Sequence, residues 1–310
     1  MKTAYLFPGQ GSQAQGMGKD LAAHYPVARA TFAEADEALG YRLSELCFAG
    51  PEEKLKLTEI TQPAILTVSV AAWRVLQEKG AARPQFVAGH SLGEYSAHVA
   101  AGTLSFADAV RTVRNRGRYM QEAVPVGAGA MAAVLGMPLE KLVEVCREAS
   151  QNDLAAVAPA NINSPNQIVI SGKAEAVQRA AEMAKAAGAR RAIMLPVSAP
   201  FHCALMQPAQ DRLAADLEKL KFNEPEIPVI KNIDGLPATS AEDARQALVR
   251  QVTGAVQWVK TVEFLVSAGV ERFLEIGPGK VLCGLVGQTH KLASCANVED
   301  EASLQKAMAL

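Results

Sequence analysis

The pentapeptide Gly89-His90-Ser91-Leu92-Gly93 lies between a short apolar run, Phe86-Val87-Ala88, and a helix-compatible stretch that begins at Glu94. A Gly-x-Ser-x-Gly between a strand and a helix is typical of a nucleophile elbow, a sharp turn that lifts the serine hydroxyl to its tip. Glycines suit such a turn because they permit backbone conformations that other residues avoid. The pattern favours a nucleophilic role for Ser91 over the alternative, a tight turn without chemistry.

Main-chain N–H groups at the start of that helix can stabilise negative charge. They have no partner within the helix and lie at the positive end of its dipole, which suits a developing oxyanion. The N–H of Leu92 is the obvious candidate. A second loop, Pro8-Gly9-Gln10-Gly11, follows the apolar run 4–7, and its two glycines allow the backbone to approach another group closely. A plain turn explains that loop equally well.

The composition is that of an ordinary globular protein. Of the 310 residues, 49% are hydrophobic and 20% are charged, and the formal net charge is -1. This balance gives no electrostatic reason to expect nucleic acid or an anionic membrane as a partner. The apolar run near the N-terminus is too short for a signal peptide, and no apolar stretch is long enough to span a bilayer. We therefore expect a cytoplasmic protein without a nucleic acid or membrane partner.

The cysteines are widely scattered and show no C-x-x-C spacing. The five positions are Cys47, Cys146, Cys203, Cys283 and Cys295. An odd number without regular spacing predicts neither a disulfide framework nor a zinc site. We therefore expect no metal, and a reducing compartment fits.

Strands and helices alternate along most of the chain, and two of the predicted helices span 20–39 and 64–76. This alternation predicts an α/β fold with a parallel sheet and with ligands at the carboxyl ends of its strands. Residues 127–198 depart from this pattern, because their apolar runs follow the β-α-β-β-α-β order of a ferredoxin-like unit. We therefore expect a small subdomain at 127–198, inserted into a large subdomain formed by 1–126 and 199–310.

The middle strands of the small unit are predicted at 154–158 and 167–171. Asn161, Asn163 and Asn166 lie between them, and asparagine side chains often bond to nearby backbone in turns. We therefore predict that these asparagines form a turn rather than contact a ligand.

One arginine of the predicted helix 106–120 does not share the polar face of the others. At about 100° per residue, three arginines fall on one solvated stripe: Arg111, Arg114 and Arg118. Arg116 falls instead on the stripe that faces the interior. A buried guanidinium needs an anionic partner, because leaving it unpaired is costly. That partner can be a structural Asp or Glu, which helical phase alone slightly favours, or a substrate carboxylate held by a bidentate fork.

Two of the five histidines are candidates for a base beside the elbow serine. His202 follows the small unit at a strand-to-helix junction, where catalytic side chains of α/β folds collect. His290 lies in the C-terminal part of the chain. The other three are placed unfavourably: His90 is the neighbour of the serine, His98 lies two turns along the next helix, and His24 lies in a predicted surface helix.

Several stretches together resemble the malonyl-CoA:acyl carrier protein transacylases of type II fatty acid synthesis and the acyltransferase domains of polyketide synthases. The resemblance covers essentially the whole chain, and its markers are specific in their combination and order. They are Phe7-Pro8-Gly9-Gln10-Gly11-Ser12-Gln13, Thr61-Gln62-Pro63-Ala64, Gly89-His90-Ser91-Leu92-Gly93-Glu94-Tyr95, Arg116 with Met120-Gln121, Phe201-His202, Gln257-Trp258 and Glu275-Ile276-Gly277-Pro278-Gly279.

The resemblance implies an α/β-hydrolase-like large subdomain interrupted by a ferredoxin-like small one, which agrees with the pattern above. It also implies a ping-pong reaction, in which Ser91 takes the malonyl group from malonyl-CoA and the phosphopantetheine thiol of holo acyl carrier protein takes it from the serine. The CoA thioester is the substrate, so no cofactor is implied.

The same resemblance assigns roles to individual residues. It implies that His202 is the general base and acid, and that the N–H groups of Gln10 and Leu92 form the oxyanion hole. It further implies that the main-chain carbonyl of Gln251, in place of a carboxylate, orients the imidazole. The loop at that position, Gln251-Val252-Thr253-Gly254-Ala255, differs from the Asn-Pro that often occupies it in the family.

The resemblance also implies which residues select the malonyl group. Arg116 matches the residue that pairs with the malonyl carboxylate, so the resemblance favours the substrate as the partner of the inward arginine. An acetyl group would leave that guanidinium unpaired, and sites built around such a pair reject analogues that lack the partner. Gln62 is implied to line the pocket nearby, and Phe201 before His202 resembles the malonyl-selecting members.

Two other functions stay open from the sequence. An esterase or thioesterase of the α/β-hydrolase type has the chain order Ser, acid, His, and would use His290 with an acid downstream of the serine. A non-catalytic module that binds CoA or an acyl carrier would keep the fold without turnover. The presence of both Ser91 and His202 argues against that module.

Overall fold

The computed structural model describes residues 2–151, 153, 155–197 and 199–309, and the strands of this part of the chain form two separate sheets. The strands are β1 (Lys2–Phe7), β2 (Phe86–Gly89), β3 (Gly129–Leu135), β4 (Val157–Ser164), β5 (Gln167–Lys173), β6 (Arg191–Met194), β7 (Val229–Ile230), β8 (Val270–Ile276) and β9 (Ser294–Val298). One sheet is parallel, in the order β7-β2-β1-β8-β9, and the other is antiparallel, in the order β4-β5-β3-β6.

Helices cover both sheets. They are α1 (Lys19–His24), α2 (Pro26–Leu39), α3 (Leu43–Ala49), α4 (Glu52–Leu55), α5 (Thr58–Glu78), α6 (Gly93–Ala100), α7 (Phe106–Glu122), α8 (Leu139–Ser150), α9 (Ala174–Ala186), α10 (Gln207–Glu218), α11 (Ala241–Arg250), α12 (Trp258–Ser267), α13 (Val281–Thr289) and α14 (Glu301–Met308), with a short 3-10 helix at Ala204–Met206. None of the described helices combines the length and the apolar character that crossing a bilayer requires.

Strand β1 lies at the centre of the parallel sheet, and its second half is apolar. Its last four residues, from Ala4 to Phe7, are buried, as expected for a strand with both faces covered. Phe7 lies opposite Gly89 in the register of β1 and β2. The loop that follows β1 is therefore held beside the elbow that follows β2, and the carboxyl ends of two neighbouring strands meet at Ser91.

The small antiparallel sheet has the connections of a ferredoxin-like unit, as the sequence predicts. Helices α8 and α9 pack on one of its faces, where Ala132, Val134 and Ile168 belong to a separate apolar core. Side chains alternate across a strand, so Met131 and Val169 point to the opposite face. That face turns toward the parallel sheet, and these two residues belong to the main core.

Prolines give two helices bounds that differ from those predicted from the sequence. Residues 20–39 form α1 and α2 rather than one helix, because Pro26 lacks an N–H and starts α2 instead of continuing α1. Conversely, the helix predicted to begin at Ala64 begins at Thr58, so Pro63 lies inside α5. The proline removes one backbone hydrogen bond, and the burial of most of α5 offsets that loss.

The turn predicted at the three asparagines is shorter in the structure. Asn161 and Asn163 lie within β4, and only Asn166 remains in the connection to β5. Strand β4 is at the edge of its sheet, where polar residues and prolines are tolerated, and its sequence therefore looked like a loop. Leu154, the predicted start of this strand, and Ser198, the predicted end of the small subdomain, lie outside the described residues.

Cys283 on α13 and Cys295 on β9 form a disulfide, which corrects the prediction drawn from the scattered cysteines. That prediction used spacing in the sequence alone, whereas the crossover from β8 through α13 brings the helix back against β9. The other three cysteines are free and buried. The cysteine pattern therefore says nothing about the compartment.

Helix α7 packs closely on α5, and this contact depends on a glycine. The helix begins after Ser105, whose hydroxyl accepts a hydrogen bond from the N–H of Asp108. A Cβ at Gly117 would lie 2.6 Å from the carbonyl oxygen of Thr58 on α5, closer than real Cβ atoms approach an oxygen. The absence of a side chain at Gly117 therefore lets α7 bring the adjacent Arg116 against the inner face of α5.

We expect Gly117→Ala to lower the free energy of unfolding by about 1–3 kcal/mol, the usual cost of forcing a methyl group into a packed contact. The control is Gly284→Ala on α13, where an added methyl group meets nothing within 4 Å outside its own helix. Because alanine is the better helix former, that variant should gain up to about 1 kcal/mol. Urea denaturation followed by circular dichroism measures both, and equal changes would contradict the packing argument.

Candidate active site

The main chain at Ser91 is held in a left-handed conformation, with φ 52°. This conformation costs about 1–3 kcal/mol for a residue with a side chain, so the surroundings have to impose it. Both glycines of the pentapeptide are required. A Cβ at Gly89 would overlap the carbonyl of Gly93, and a Cβ at Gly93 would overlap the carbonyl of Phe7. The strand, sharp turn and helix expected of a nucleophile elbow are therefore present.

Asn232 holds the elbow from both sides, and sequence analysis did not identify it. Its Oδ1 accepts a hydrogen bond from the N–H of Ser91 at 2.6 Å, and its Nδ2 donates to the carbonyl of Gly89 at 2.7 Å. Asn232 follows the short strand β7, which pairs with β2. Only the order of strands in the folded sheet brings it to the elbow.

The imidazole of His202 lies against Ser91. Its Nε2 is 2.7 Å from Oγ of Ser91, and its Nδ1 is 2.8 Å from the main-chain oxygen of Gln251. A carbonyl oxygen can only accept, so the proton of the neutral ring is on Nδ1 and Nε2 accepts the hydrogen bond from the serine hydroxyl. The structure therefore brings together the three groups that the resemblance named.

Burial keeps this imidazole neutral. His202 is 4% exposed, and its burial, together with the nearby charge of Arg116, lowers its pKa to about 3, although the hydrogen bond to Gln251 opposes this change. A neutral imidazole has a free electron pair on Nε2 that can take a proton from the serine. The base form is therefore ready at neutral pH.

Arg116 is 1% exposed and points at the serine hydroxyl, in agreement with its inward helical phase. Its Nη2 donates to Oγ of Ser91 at 3.0 Å and to Oε1 of Gln251 at 2.9 Å, and its Nη1 donates to Oε1 of Gln62 at 2.8 Å. All three acceptors are neutral, and among the described residues no carboxylate lies within 4 Å of the guanidinium. The structural acid considered from the sequence is therefore not among its direct contacts.

Two main-chain N–H groups beside Ser91 have no hydrogen-bond acceptor among the described residues. Within the described ranges, the N–H groups of Gln10 and Leu92 donate to no protein acceptor. Both residues line the same cavity as the serine. Gly9 allows the first loop to come this close, because a Cβ there would lie 2.5 Å from the carbonyl oxygen of His90. Fixed donors of this kind can stabilise an oxyanion.

The serine opens into a cavity of about 380 Å³ between the two sheets, a volume within the usual range for small-ligand sites. The parallel-sheet side contributes the reacting groups and Gln62. The opposite wall is the face of the small sheet that α8 and α9 leave uncovered, with Met131, Ala133, Asn161, Asn163, Gln167 and Val169. In the part of the chain that the structure describes, no group of three or more His, Cys, Asp or Glu side chains could hold a metal ion.

The other histidines do not reach the serine hydroxyl. His24 is exposed on α1, and His98 is buried on α6. His290 follows α13 and is not among the residues that line the cavity. Nε2 of His90 lies 2.8 Å from Oδ1 of Asn163, and this contact joins the elbow to the small sheet. The arrangement gives no support to a hydrolase that uses His290.

A buried polar layer lies behind the elbow, and sequence analysis missed it. Oε2 of Glu94 accepts hydrogen bonds from Nε2 of Gln251 at 2.7 Å and from the N–H of Asn232 at 3.0 Å. Burial raises the pKa of Glu94 to about 7, although these hydrogen bonds and the charge of Arg116 oppose the rise. The sequence did contain one indication of this layer. Glu94 directly follows the elbow, so it lies in the first turn of the next helix and close to the serine.

Attack of a serine on an acyl carbon needs a base for the hydroxyl proton and donors for the oxyanion, and this cavity offers both around one hydroxyl. The α/β fold and the site together therefore define the class of enzymes that can transfer acyl groups with a serine.

Comparison with known proteins agrees with that class. The family described as Acyl transferase domain matches residues 4–307. Malonyl CoA-acyl carrier protein transacylase from Escherichia coli strain K12 is 51% identical over 307 residues, which cover 99% of each chain. The crystal structure of an acyl carrier protein S-malonyltransferase from Vibrio cholerae has a TM-score of 0.97 and 50% identity, with 99% of this chain and 100% of that chain covered.

A further solved structure is that of a type II PKS acyl-carrier protein in complex with its malonyl-transacylase. It has a TM-score of 0.97 and 52% identity, with 100% of this chain and 99% of that chain covered. The present chain therefore belongs to the acyl transferase family and, within it, to the malonyl CoA-acyl carrier protein transacylases. The predicted α/β fold, a parallel sheet interrupted by a ferredoxin-like unit, is confirmed by the likeness to these structures, and the unit forms a separate antiparallel sheet.

We expect His202 to stay neutral, with its proton on Nδ1, as the pH is lowered from about 8 to about 5.5. The physical reason is that burial lowers its pKa to about 3, so the folded protein does not protonate the ring in this range. NMR of protein with nitrogen-labelled histidine measures the tautomer and the charge, and a His202→Asn variant assigns the signal. A titration of this signal centred near the ordinary histidine value of about 6.5 would contradict the expectation.

Proposed function

We propose that the protein transfers the malonyl group of malonyl-CoA to the phosphopantetheine thiol of holo acyl carrier protein through a malonyl ester of Ser91. The observation that carries this function is that one hydroxyl contacts both a neutral imidazole, His202 at 2.7 Å, and a buried guanidinium, Arg116 at 3.0 Å. The imidazole prepares attack on a thioester, and the guanidinium provides a cation for a substrate carboxylate. The names of the relatives describe the same activity.

In the first half-reaction, Oγ of Ser91 attacks the carbonyl carbon of the malonyl thioester while Nε2 of His202 takes the hydroxyl proton. The carbonyl oxygen becomes an oxyanion, and the N–H groups of Gln10 and Leu92 stabilise it. The C–S bond then breaks, and the imidazolium gives its proton to the leaving sulfur. CoA departs as a thiol, and the serine keeps the malonyl group as an ester.

The carbonyl of Gln251 keeps the ring of His202 in place during this exchange. It accepts from Nδ1–H whether the ring is neutral or protonated, so the ring does not have to turn between the two steps. A carbonyl has no net charge, and burial disfavours the imidazolium. The proton is therefore held only briefly before it passes to the leaving group.

The second half-reaction uses the same groups. The thiol of the phosphopantetheine arm gives its proton to His202 and attacks the ester carbon, and a second oxyanion forms at the same two N–H groups. The ester C–O bond breaks, and the proton returns to Oγ of Ser91. The enzyme is regenerated without a cofactor, and the malonyl carrier protein supplies the condensation steps of fatty acid or polyketide synthesis.

Arg116 selects the malonyl group, with Gln62 as its support. Among the described residues the guanidinium donates only to neutral oxygens, and a carboxylate can replace some of them with hydrogen bonds that are roughly twice as strong. Gln62 remains bonded to Nη1 and keeps the guanidinium plane in position. An acetyl group offers no carboxylate and gains nothing from this cation.

The proposed division of the chain is a small subdomain at 127–198 within a large one at 1–126 and 199–310. The separate apolar core between the small sheet and its two helices supports this division. The proposed reacting groups then all belong to the large subdomain, and the small one forms the opposite wall of the cavity.

Incubation with malonyl-CoA followed by intact mass spectrometry tests the function. We expect a malonyl adduct on the wild-type protein and on a Ser267→Ala control, and none on Ser91→Ala. Added holo acyl carrier protein should remove the adduct and become malonylated. Absence of the wild-type adduct would favour a binding module, and release of malonate to water faster than transfer to the carrier would identify a hydrolase.

We expect Arg116→Ala to slow malonyl loading roughly 30-fold or more, because removal of one partner of a buried charged pair costs about 2–5 kcal/mol. Acetyl loading should change much less, since an acetyl group has no partner for the guanidinium. Single-turnover loading from malonyl-CoA and acetyl-CoA measures the two effects. Arg118→Ala, on the outer face of the same helix, is the control, and equal losses with both donors in Arg116→Ala would refute the role of Arg116.

A further inference from the structure

Glu94 is a fully buried carboxylate directly behind the nucleophile, and the reaction described above does not use it. It lies in the first turn of α6, three residues after the serine. A buried carboxylate is costly unless its surroundings supply hydrogen bonds or an opposite charge. The groups that contact Glu94 must therefore compensate for its burial.

The two hydrogen-bond donors to Glu94 in the described part of the chain belong to residues that hold the reacting pair. One is Nε2 of Gln251, at 2.7 Å, and the main-chain oxygen of that residue accepts from Nδ1 of His202. The other is the N–H of Asn232, at 3.0 Å, and the side chain of that residue clamps the N–H of Ser91. One carboxylate oxygen, Oε2, thus contacts both the residue that positions the base and the residue that positions the nucleophile.

The side-chain amide of Gln251 lies between two opposite charges. Its Oε1 accepts from Nη2 of Arg116 at 2.9 Å, while its Nε2 donates to Glu94 and also to the carbonyl of Ser91 at 3.0 Å. If the amide turned over, its NH₂ group would face the guanidinium and its oxygen would face the carboxylate. Both contacts would then be repulsive, so the two charges fix the amide in one orientation.

We propose that the ionised carboxylate of Glu94 is a positioning residue for acyl transfer, which fixes Gln251 and Asn232 and through them the imidazole of His202 and the hydroxyl of Ser91. Glu94 touches neither substrate nor reacting atoms in this scheme. It also supplies a negative charge one amide away from Arg116, which has no carboxylate within 4 Å among the described residues. The inference rests on the proposed function only in taking Ser91 as the nucleophile.

The experiment uses a probe that depends on the reacting pair but not on malonyl recognition. Phenylmethylsulfonyl fluoride is neutral, and in its reaction Oγ of Ser91 displaces fluoride from sulfur while His202 takes the hydroxyl proton. The rate constant of inactivation, measured at about pH 8 on folded protein, therefore reports the positioning of the pair. A wild-type protein that reacts with this probe but does not load malonyl would contradict the proposed function and leave the role of Glu94 measurable.

We expect Glu94→Ala to react about 10- to 100-fold more slowly than the wild type, because small displacements of reacting groups have effects of this size. We expect Glu94→Gln, which keeps the shape and one acceptor oxygen, to react about 3- to 10-fold more slowly, because hydrogen bonds to a neutral acceptor are weaker. Loading from malonyl-CoA and from acetyl-CoA should slow by similar factors, in contrast to Arg116→Ala. A wild-type rate in Glu94→Gln overturns the proposal, whether or not Glu94→Ala folds.

Glu275→Gln is the matched control for the loss of a buried carboxylate. Glu275 is also fully buried, accepts hydrogen bonds from two main-chain N–H groups, of Leu282 and Cys283, and has its pKa raised to about 7 by burial. If Glu94 acts by position, Glu275→Gln reacts with the probe at the wild-type rate even if its stability changes. An equal slowing in both variants would show a general structural effect and overturn the proposal.

A double-mutant cycle tests the route through Gln251. Gln251→Ala removes the side-chain amide but keeps the main-chain carbonyl that contacts His202. We expect the double variant Glu94→Ala/Gln251→Ala to react at about the rate of Glu94→Ala, because residues that act through one another do not have additive effects. Losses that multiply in the double variant would overturn this route.

Discussion

The hydrogen bond between Ser91 and His202 joins residues that are 111 positions apart in the chain, and much of the structure serves to form it. Both residues have a left-handed backbone conformation, with φ 52° and 59°, which neither would adopt without support. The register of β1 and β2, the clamp by Asn232 and the carbonyl of Gln251 supply that support. Strain at two positions is thus maintained by packing and hydrogen bonds formed elsewhere.

Burial leaves two neighbouring groups in different charge states, one neutral and one positive. Burial lowers the pKa of both His202 and Arg116, but the ordinary pKa of a guanidinium lies far above that of an imidazole. The imidazole becomes neutral across the physiological range, whereas the guanidinium stays positive. A neutral base and a permanent cation can therefore contact the same hydroxyl without competing for its proton.

Local features of the sequence predicted the centre of the site. The elbow follows from the spacing of two glycines around Ser91, and the inward direction of Arg116 follows from helical phase. Asn232 and Glu94 escaped prediction because their contacts depend on the order of strands in the sheet and on residues more than a hundred positions away. The roles of His202 and Gln251 came from family resemblance rather than from residue spacing.

The same distinction applies to the fold. The alternation of strands and helices predicted a parallel sheet with an inserted ferredoxin-like unit, whereas the bounds of α5 and β4 were wrong because burial and an edge position override local preference. The disulfide between Cys283 and Cys295 was missed because only tertiary packing brings α13 and β9 together.

The cavity has walls from two different parts of the chain, and this separates chemical function from steric fit. The hydroxyl, imidazole and guanidinium come from one wall, while the apolar side chains of Met131, Ala133 and Val169 come from alternate positions on two strands of the other. Exchanges of larger for smaller residues at these three positions can change which acyl groups fit and leave the proton-transfer groups in place. The steric fit of the acyl group therefore depends on these three positions, whereas the charge recognition proposed for Arg116 belongs to the wall that holds Ser91 and His202.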